Sequence, residues 1–460
     1  MNPLVPLLCL YLLALACITA LGVARVRSAA DFWIAGGGVS ALSTGGSLVA
    51  TIVGGSSTLG MAGLAFRRGL TGGWWLLAGA VGLTALVFLV KGLKTGSYYT
   101  LPELISRWYG PIMGKISGMF IMIAWLGIVG AQAAAAGTIL ATFLGGQSRS
   151  WMLAAGAVFV AYTLCGGQIS VIRTDLLQAA IIAGGIALCT GFALQQSGGF
   201  RALRAALPPA YFSFPVSELF PTGQLLLMLL VVASTYLIGP DMLSRVFSAR
   251  NARSARRAII ITISAIIPLA LLVTTAGMTA RVLFPHAPPE TALPILARSA
   301  LPPWAGALVM LALLSAFLSS ADTTLLTMSA ILTVNILGRK DPARLIVPRL
   351  SVLGCGAAGV AVGVFSGGII PSLLLGYSVF AGALFVPILA GALGRAMGKT
   401  SAIAAAVLGG ACALAGKLLN NDPLVAASFA VGITAAVLDR IVLRRKRRSD
   451  PRFPSSYWKM

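Results

Sequence analysis

Long apolar runs recur along almost the whole chain and are separated by short polar segments. About 13 of them are long enough for a helix that crosses a bilayer, which takes roughly 20 residues. Only 10% of the residues are charged, whereas a soluble domain has about 25%. We therefore predict an all-α polytopic membrane protein with about 13 transmembrane helices. The runs are 3–24, 33–64, 70–93, 112–145, 150–168, 175–196, 222–246, 257–284, 303–336, 346–367, 371–393, 400–417 and 423–443.

Basic residues are distributed unevenly between the predicted loops. No Lys or Arg precedes the first apolar run, and Arg25 and Arg27 follow it, whereas a signal peptide has its positive charge in front. We therefore expect a retained helix with its N-terminus outside. Most of the 34 Lys and Arg residues then fall on the inner side, as expected for a multi-pass protein of the plasma (inner) membrane with a cytoplasmic C-terminus. Anionic lipid accounts for the basic segment 444–460 better than nucleic acid does, so we expect a lipid partner and no nucleic acid.

The residue sets of common catalytic and metal sites are missing from the sequence. The 6 cysteines lie in or at the ends of apolar runs without a close-spaced pair, and His286 is the single histidine. No Ser/His/Asp set, phosphate-binding loop or dinucleotide fingerprint after a strand is found. We expect no enzyme.

Polar side chains interrupt the apolar run 303–336. Ser319, Ser320 and Asp322 lie near its centre. Hydroxyls and a carboxylate at that depth are costly, which favours a binding site for an ion or a solute. Close helix packing, with hydroxyls bonded back to carbonyls, also explains the two serines, but it does not explain Asp322.

Two other runs contain helix-breaking residues at their centres. Gly54 and Gly55 interrupt the second run, and Gly239 and Pro240 interrupt the seventh. Backbone that leaves a helix inside a membrane is tolerated only where it lines a cavity or is bound. The breaks are five runs apart, so each opens a five-helix block. Paired broken helices at matching positions are typical of secondary transporters built from inverted repeats.

Six sequence motifs lie in order across nearly the whole sequence. They are DFWIAGGG at 31–38, ATIVGGS at 50–56, YTLCGG at 162–167, RTDLLQ at 173–178, GPDMLSR at 239–245 and AFLSSADT at 316–323. In these motifs the chain resembles the sodium:solute symporter family, which includes sodium/proline, sodium/galactose, sodium/sialic acid and sodium/pantothenate transporters.

The resemblance implies a leucine-transporter (LeuT) type fold with a five-plus-five inverted repeat. We expect a leading helix and inner loop at 1–32, a first repeat at 33–200 and a second repeat at 201–396. Two C-terminal transmembrane helices follow at 397–443, and a basic cytoplasmic tail at 444–460.

The resemblance also implies a sodium (Na+) site between helices 1 and 8 of the core. Its ligands, carried over position by position, are the carbonyls of Ala50, Val53 and Ala316 and the hydroxyls of Ser319 and Ser320. The chemistry agrees, because hard cations prefer oxygen ligands, and because positions 316, 319 and 320 share one helical face.

A second ion site follows from the same resemblance. In some members a carboxylate on helix 5, with hydroxyls of helix 8, holds a second sodium; here Asp175 is the matching residue and would face Asp322 and Thr323. Two carboxylates can strengthen ion binding or let one of them carry a proton. A salt bridge to Arg173 or to the arginines of the inner segments is the alternative for Asp175.

The solute is expected near the bilayer midplane beside the broken helices. For Gln132 an interhelical hydrogen bond is an equal alternative, and Tyr377 can be a packing residue. No Lys or Arg is expected deep in a core helix, and helix 1 has few amides of the kind used for sugars, so an amino acid or monocarboxylate is favoured. The candidate contacts are Gly54, Gly55, Ser56, Ser57, Gln132, Tyr236 and Tyr377.

These observations predict sodium-coupled symport of a small organic solute by alternating access. A transporter-like membrane sensor that works with a separate signalling partner is the alternative, and a channel or flippase is a third possibility.

Overall fold

The protein is described here from a computed structural model that covers residues 4–23, 26–94, 96, 98–339, 345–365 and 369–449, without the side chains of 372 and 442–449. Arg25 and residues 450–460 of the expected basic tail therefore lie outside the described residues. Eleven helices in the described ranges are long and apolar enough to cross a membrane.

The architecture is all-helical, and we number the α-helices in chain order. They are α1 Leu4–Val23, α2 Ala29–Ile34, α3 Ala41–Ile52, α4 Met61–Arg68, α5 Trp74–Leu93, α6 Leu101–Tyr109, α7 Pro111–Leu144, α8 Ser148–Gln196, α9 Gly199–Ala206, α10 Thr222–Met228, α11 Ser234–Ile238, α12 Pro240–Ser248, α13 Ala252–Leu283, α14 Ala292–Ser299, α15 Pro303–Ala330, α16 Ile346–Phe365, α17 Ile369–Ala392, α18 Lys399–Leu418 and α19 Asp422–Ser449. Wider π-helical turns occupy Ser56–Gly60, Leu229–Ala233 and Ile331–Ile336.

The expected number of about 13 spans differs from the 11 counted in the described ranges, because two of the 11 contain a non-helical glycine and each includes parts of two predicted runs. Runs 150–168 and 175–196 both lie in α8, whose 49 residues are kinked at non-helical Gly167 (φ 57°). A straight helix of that length would extend about 74 Å, more than one bilayer needs. Likewise, the stretch from Ser56 to Leu93 is broken at Gly69 (φ 68°, ψ −140°), where α4 ends, before α5 begins.

Both predicted helix breaks are confirmed. The first helical half, α3, ends at Ile52, the backbone turns out of the helix at Val53 (φ −86°, ψ 66°), and helical structure resumes at Ser56. The second break separates α11 from α12 at Gly239 (ψ 133°), because Pro240 cannot donate the hydrogen bond that would continue the helix.

Helix α15 lies at the centre of the molecule and packs against α3, α7 and α8. Of the apolar stretch of this helix that could cross a membrane, 89% is buried inside the protein. Small residues permit this contact: a Cβ on Gly185 of α8 would lie 2.3 Å from Ala312 Cβ, so only glycine fits there. The polar residues of α15 therefore face protein and not lipid.

One end of the bundle joins the two broken helices to each other. The Val39 N–H, just before α3, donates to Ser248 O at the end of α12 (3.0 Å), and the Arg250 N–H donates back to Val39 O (3.0 Å). The Lys94 ammonium adds hydrogen bonds to Val246 O and Phe247 O at 3.1 and 2.9 Å. The segment before α3 and the end of α12 are thus held together by backbone hydrogen bonds.

Candidate functional site

The predicted sodium ligands on α3 and α15 meet across the helix interface. The Ser319 hydroxyl donates to Ala50 O at 2.7 Å and lies 3.4 Å from Ala316 O. One residue further on, the Ser320 hydroxyl donates to Thr51 O at 2.7 Å. Val53, the first residue of the break, is completely buried.

The local backbone explains why oxygens collect at this place. Because α3 stops at Ile52, the carbonyls of Ala50, Thr51 and Ile52 have no helical N–H partners and carry the partial negative charge of a helix C-terminus. Serine hydroxyls of α15 and the Ser57 hydroxyl, which donates to Ile52 O, satisfy them instead. A hydroxyl oxygen also has lone pairs, so the same group can turn toward a cation. The arrangement supplies neutral oxygens of the kind that a hard cation prefers.

A cavity of about 20 Å³ lies beside this oxygen cluster, between the two helix breaks. That volume holds about one water molecule and is too small for an organic solute. Five of the seven predicted solute contacts line it: Gly54, Ser56, Gln132, Tyr236 and Tyr377.

The other two predicted solute contacts, Gly55 and Ser57, do not line the cavity and form hydrogen bonds at the helix break. The Gly55 N–H donates to Gln132 Oε1 at 2.9 Å, so the expected interhelical role of Gln132 is present together with its place in the cavity wall. Ser57 is completely buried behind the cavity.

The cavity wall also contains residues that the sequence analysis did not assign. Asp241 and Met242 reach it from the start of α12, and Thr324 from α15. Tyr377, on α17, lies between two tryptophans, with ring centroids 6.1 Å from Trp75 and 6.4 Å from Trp125. One side of the cavity is therefore aromatic and the other is polar.

A completely buried ion pair lies next to the oxygen cluster. Arg245 Nη2 is 3.2 Å from Asp175 Oδ2, both side chains are 0% exposed, and Arg245 Nε donates to Ser47 Oγ at 2.7 Å. The salt-bridge alternative for Asp175 is thus confirmed, with Arg245 as its partner. The expectation that no Lys or Arg lies deep in a core helix is wrong, because α12 carries Arg245 into the interior, where Asp175 compensates its charge.

The three residues of the predicted second ion site are only partly brought together. Thr323 contacts the Arg245 guanidinium, and its hydroxyl lies 3.0 Å from that of Thr51. Asp322 is completely buried, but within the described ranges its carboxylate has no side-chain hydrogen-bond partner. Asp175 and Thr323 thus converge on the guanidinium, which lies where a second cation at Asp175 would bind.

The two residues that the sequence analysis missed, Asp241 and Arg245, belong to one motif, GPDMLSR at 239–245. Their spacing of four residues places them on the same side of α12. A usable signal was present, because a carboxylate at the depth of Asp175 requires a cationic partner inside the membrane.

Solved structures show the fold. The substrate-bound, outward-open structure of a Na+-coupled sialic acid symporter aligns with a TM-score of 0.80 at 15% identity, covering 94% of this chain and 96% of that one. MHP1, a nucleobase-cation-symport-1 family transporter in a closed conformation, aligns with a TM-score of 0.63 at 14% identity, covering 93% and 96%. The fold is therefore that of LeuT-type sodium symporters.

Sequence comparison identifies the family. An uncharacterized symporter of Bacillus subtilis (strain 168), YwcA, is 24% identical over 253 residues, which is 53% of this chain and about half (49%) of that protein. The model of the sodium:solute symporter family matches residues 32–342, which contain both helix breaks, the buried ion pair and α15. The chain belongs to the sodium:solute symporter family.

Proposed function

We propose that this protein is a secondary active transporter that couples the entry of sodium to the import of a small organic solute. Family membership and the fold are those of transporters, and both support sodium as the coupling ion. The observation that carries the proposal is the 2.7 Å contact between Ser319 Oγ and Ala50 O, at the point where α3 leaves its helix.

Sodium binds, in this proposal, among the carbonyls of Ala50, Val53 and Ala316 and the hydroxyls of Ser319 and Ser320. A bound cation connects the end of α3 to α15 and orders the break beside the cavity. Ordering the break lowers the cost of binding the solute there, so sodium raises the affinity for the solute. Thermodynamic reciprocity then requires the solute to raise the affinity for sodium by the same factor.

Solute entry requires movement around the cavity. At about 20 Å³ the space between the breaks must enlarge before an organic molecule fits. Backbone hydrogen bonds at Val39 close one end of the broken helices, and breaking them would open that end. We place this end at the cytoplasm, with the N-terminus outside and repeats at 33–200 and 201–396, since most basic residues then lie inside.

For the second ion site we propose competition. Arg245 supplies positive charge to Asp175 in the observed arrangement, so a second sodium, or a proton, would bind at Asp175, Thr323 and Asp322 only when the guanidinium withdraws. The main sodium site between α3 and α15 has neutral ligands, so it does not depend on withdrawal of the Arg245 guanidinium.

The proposal is tested by uptake into liposomes with the Ser319→Ala/Ser320→Ala double variant. A panel of labelled amino acids and monocarboxylates with an inward sodium gradient is expected to give saturable uptake by the wild type. The double variant removes two hydroxyl ligands and should lose sodium-dependent uptake while remaining folded.

The matched control is Ser315→Ala, on the same helix one turn earlier, where the buried hydroxyl belongs neither to the oxygen cluster nor to the cavity wall. This control should transport like the wild type. Full sodium-dependent transport by the double variant would reject the proposed site.

A further inference from the structure

Asp241 gives the cavity between the helix breaks a negative charge. It is the one residue of the cavity wall with a side chain that is ordinarily charged at neutral pH. The following residues of α12, Met242–Ser248, are buried, whereas Asp241 is partly exposed. Asp241 also lines the cavity, the space where the solute is proposed to bind.

No basic side chain forms an ion pair with Asp241 within the described part of the chain. The nearest basic residue along α12 is Arg245, one turn away, and its guanidinium is bound to Asp175, Ser47 and Thr323. A carboxylate in a small internal cavity is costly unless a positive group compensates it. A cationic group on the solute would do so.

The cavity wall also offers a hydrogen-bond donor for a carboxylate. The Gln132 side-chain oxygen is occupied by the Gly55 N–H, which leaves its amide nitrogen, 3.2 Å from where a Cβ on Gly54 would lie, as the donor. Asp241 and Gln132 both line the cavity, and so do Tyr236 and Tyr377. The wall thus combines an acceptor, a donor and aromatic rings.

We propose that the transported solute is a zwitterion with a protonated amine, and that the Asp241 carboxylate binds this amine directly. The inference rests on the proposed function for the location of the solute, and it narrows the solute class to amino acids. Monocarboxylates without an amine would bring a second negative charge to the cavity and offer no cationic group to Asp241, so they are expected to fail as ligands.

Asp241 also has a structural role, since it lies in the first turn of α12, where a carboxylate interacts favourably with the helix N-terminus. Asparagine also serves well at helix starts and has nearly the same shape. Asp241→Asn therefore removes the charge while leaving most of that structural role in place.

The test uses purified full-length protein in lipid nanodiscs with sodium and measures thermal stabilisation and equilibrium binding. The probes are the twenty common amino acids and, for comparison, propionate and cyclopentanecarboxylate, which match alanine and proline without the amine. We expect at least one amino acid to bind and both amine-free acids to fail. Asp241→Asn should weaken amino-acid binding roughly ten- to hundredfold, the effect of losing a charge-assisted hydrogen bond.

The matched control is Asp439→Asn, which removes a partly buried carboxylate that bonds Ser401 and the Gly398 N–H, away from the cavity. It should bind amino acids like the wild type. The inference is overturned by binding of the amine-free acids at equal affinity, by unchanged affinity of Asp241→Asn, or by failure of every amino acid. Failure of the proposed function gives a different result, in which the amino acid binds equally with sodium and with potassium.

Discussion

Asp175 and Arg245 form a buried ion pair, and substitution of either residue alone should disturb the core most. Neither side chain reaches solvent, and Ser47 and Thr323 contact the pair from two other helices. Removing one partner leaves an uncompensated charge inside the membrane, whereas removing both leaves neutral groups. The pair therefore couples α8 and α12 through charge.

Arg245→Gln alone is expected to lower stability by about 3–5 kcal/mol, because Asp175 stays behind without a cation. Asp175→Asn/Arg245→Gln should recover much of that loss, which a double-mutant cycle of unfolding in detergent measures. Equal and additive losses from the two single substitutions would show that the ion pair carries no coupling energy.

Sequence alone located the hydroxyls better than the charges. Ser319 and Ala50 were paired through motif resemblance, and the 2.7 Å contact is consistent with that pairing, although its role in binding sodium is still a prediction. The expectation of no Lys or Arg deep in a core helix misses Arg245, because hydropathy does not show how far α12 carries a side chain into the bundle. Asp241 escapes the sequence analysis for the same reason.

At the scale of elements, the break after α3 determines where the site forms. Helix termination at Ile52 leaves carbonyls free, and close approach of α15 brings hydroxyls to them. Gly54 makes this approach possible, since a Cβ there would lie 2.3 Å from Ser320 Oγ and 3.0 Å from Ser320 Cβ.

Gly54→Ala should push Ser320 away from Thr51 O and raise the sodium concentration needed for half-maximal uptake several-fold. The control is Gly184→Ala on α8, where a Cβ meets nothing within 4 Å, and it should behave like the wild type. An unchanged sodium dependence in Gly54→Ala would argue against Ser320 as a ligand.

Helix breaks were predictable and helix boundaries were not. Gly54-Gly55 and Gly239-Pro240 act locally through backbone freedom and a missing donor, so they can be read from sequence. In contrast, the kink of α8 at Gly167 lies against Phe32, whose atoms are within 3.2 Å of a Cβ position on that glycine, and a tertiary contact of this kind cannot be read from the sequence.

At the scale of the whole molecule, the proposed transport cycle requires that the closed end at Val39 open while the opposite end closes. Lys94 contributes to that closure through two carbonyls of α12. Burial at this position lowers the pKa of Lys94 from its ordinary value, because desolvation disfavours the ammonium, so its charge has a cost that the two hydrogen bonds partly offset.

Lys94→Met should loosen this end and favour the conformation that is open there. A single cysteine introduced beside the closure, at Val39 in a variant without the native cysteines, should then react faster with a water-soluble thiol reagent than it does with Lys94 present. We also propose that bound sodium favours opening at the opposite, outer end, so sodium should slow that reaction in both proteins. Equal reaction rates with and without Lys94 would show that this residue does not contribute to closing this end.

Equilibrium binding of radioactive sodium to the purified protein is the most direct measurement of the ion site shared by α3 and α15. Wild type and Ser315→Ala should bind sodium saturably with equal affinity, and Ser319→Ala/Ser320→Ala should lose that binding while keeping its fold. Sodium binding of unchanged affinity in the double variant would contradict the assignment of the site to these two helices.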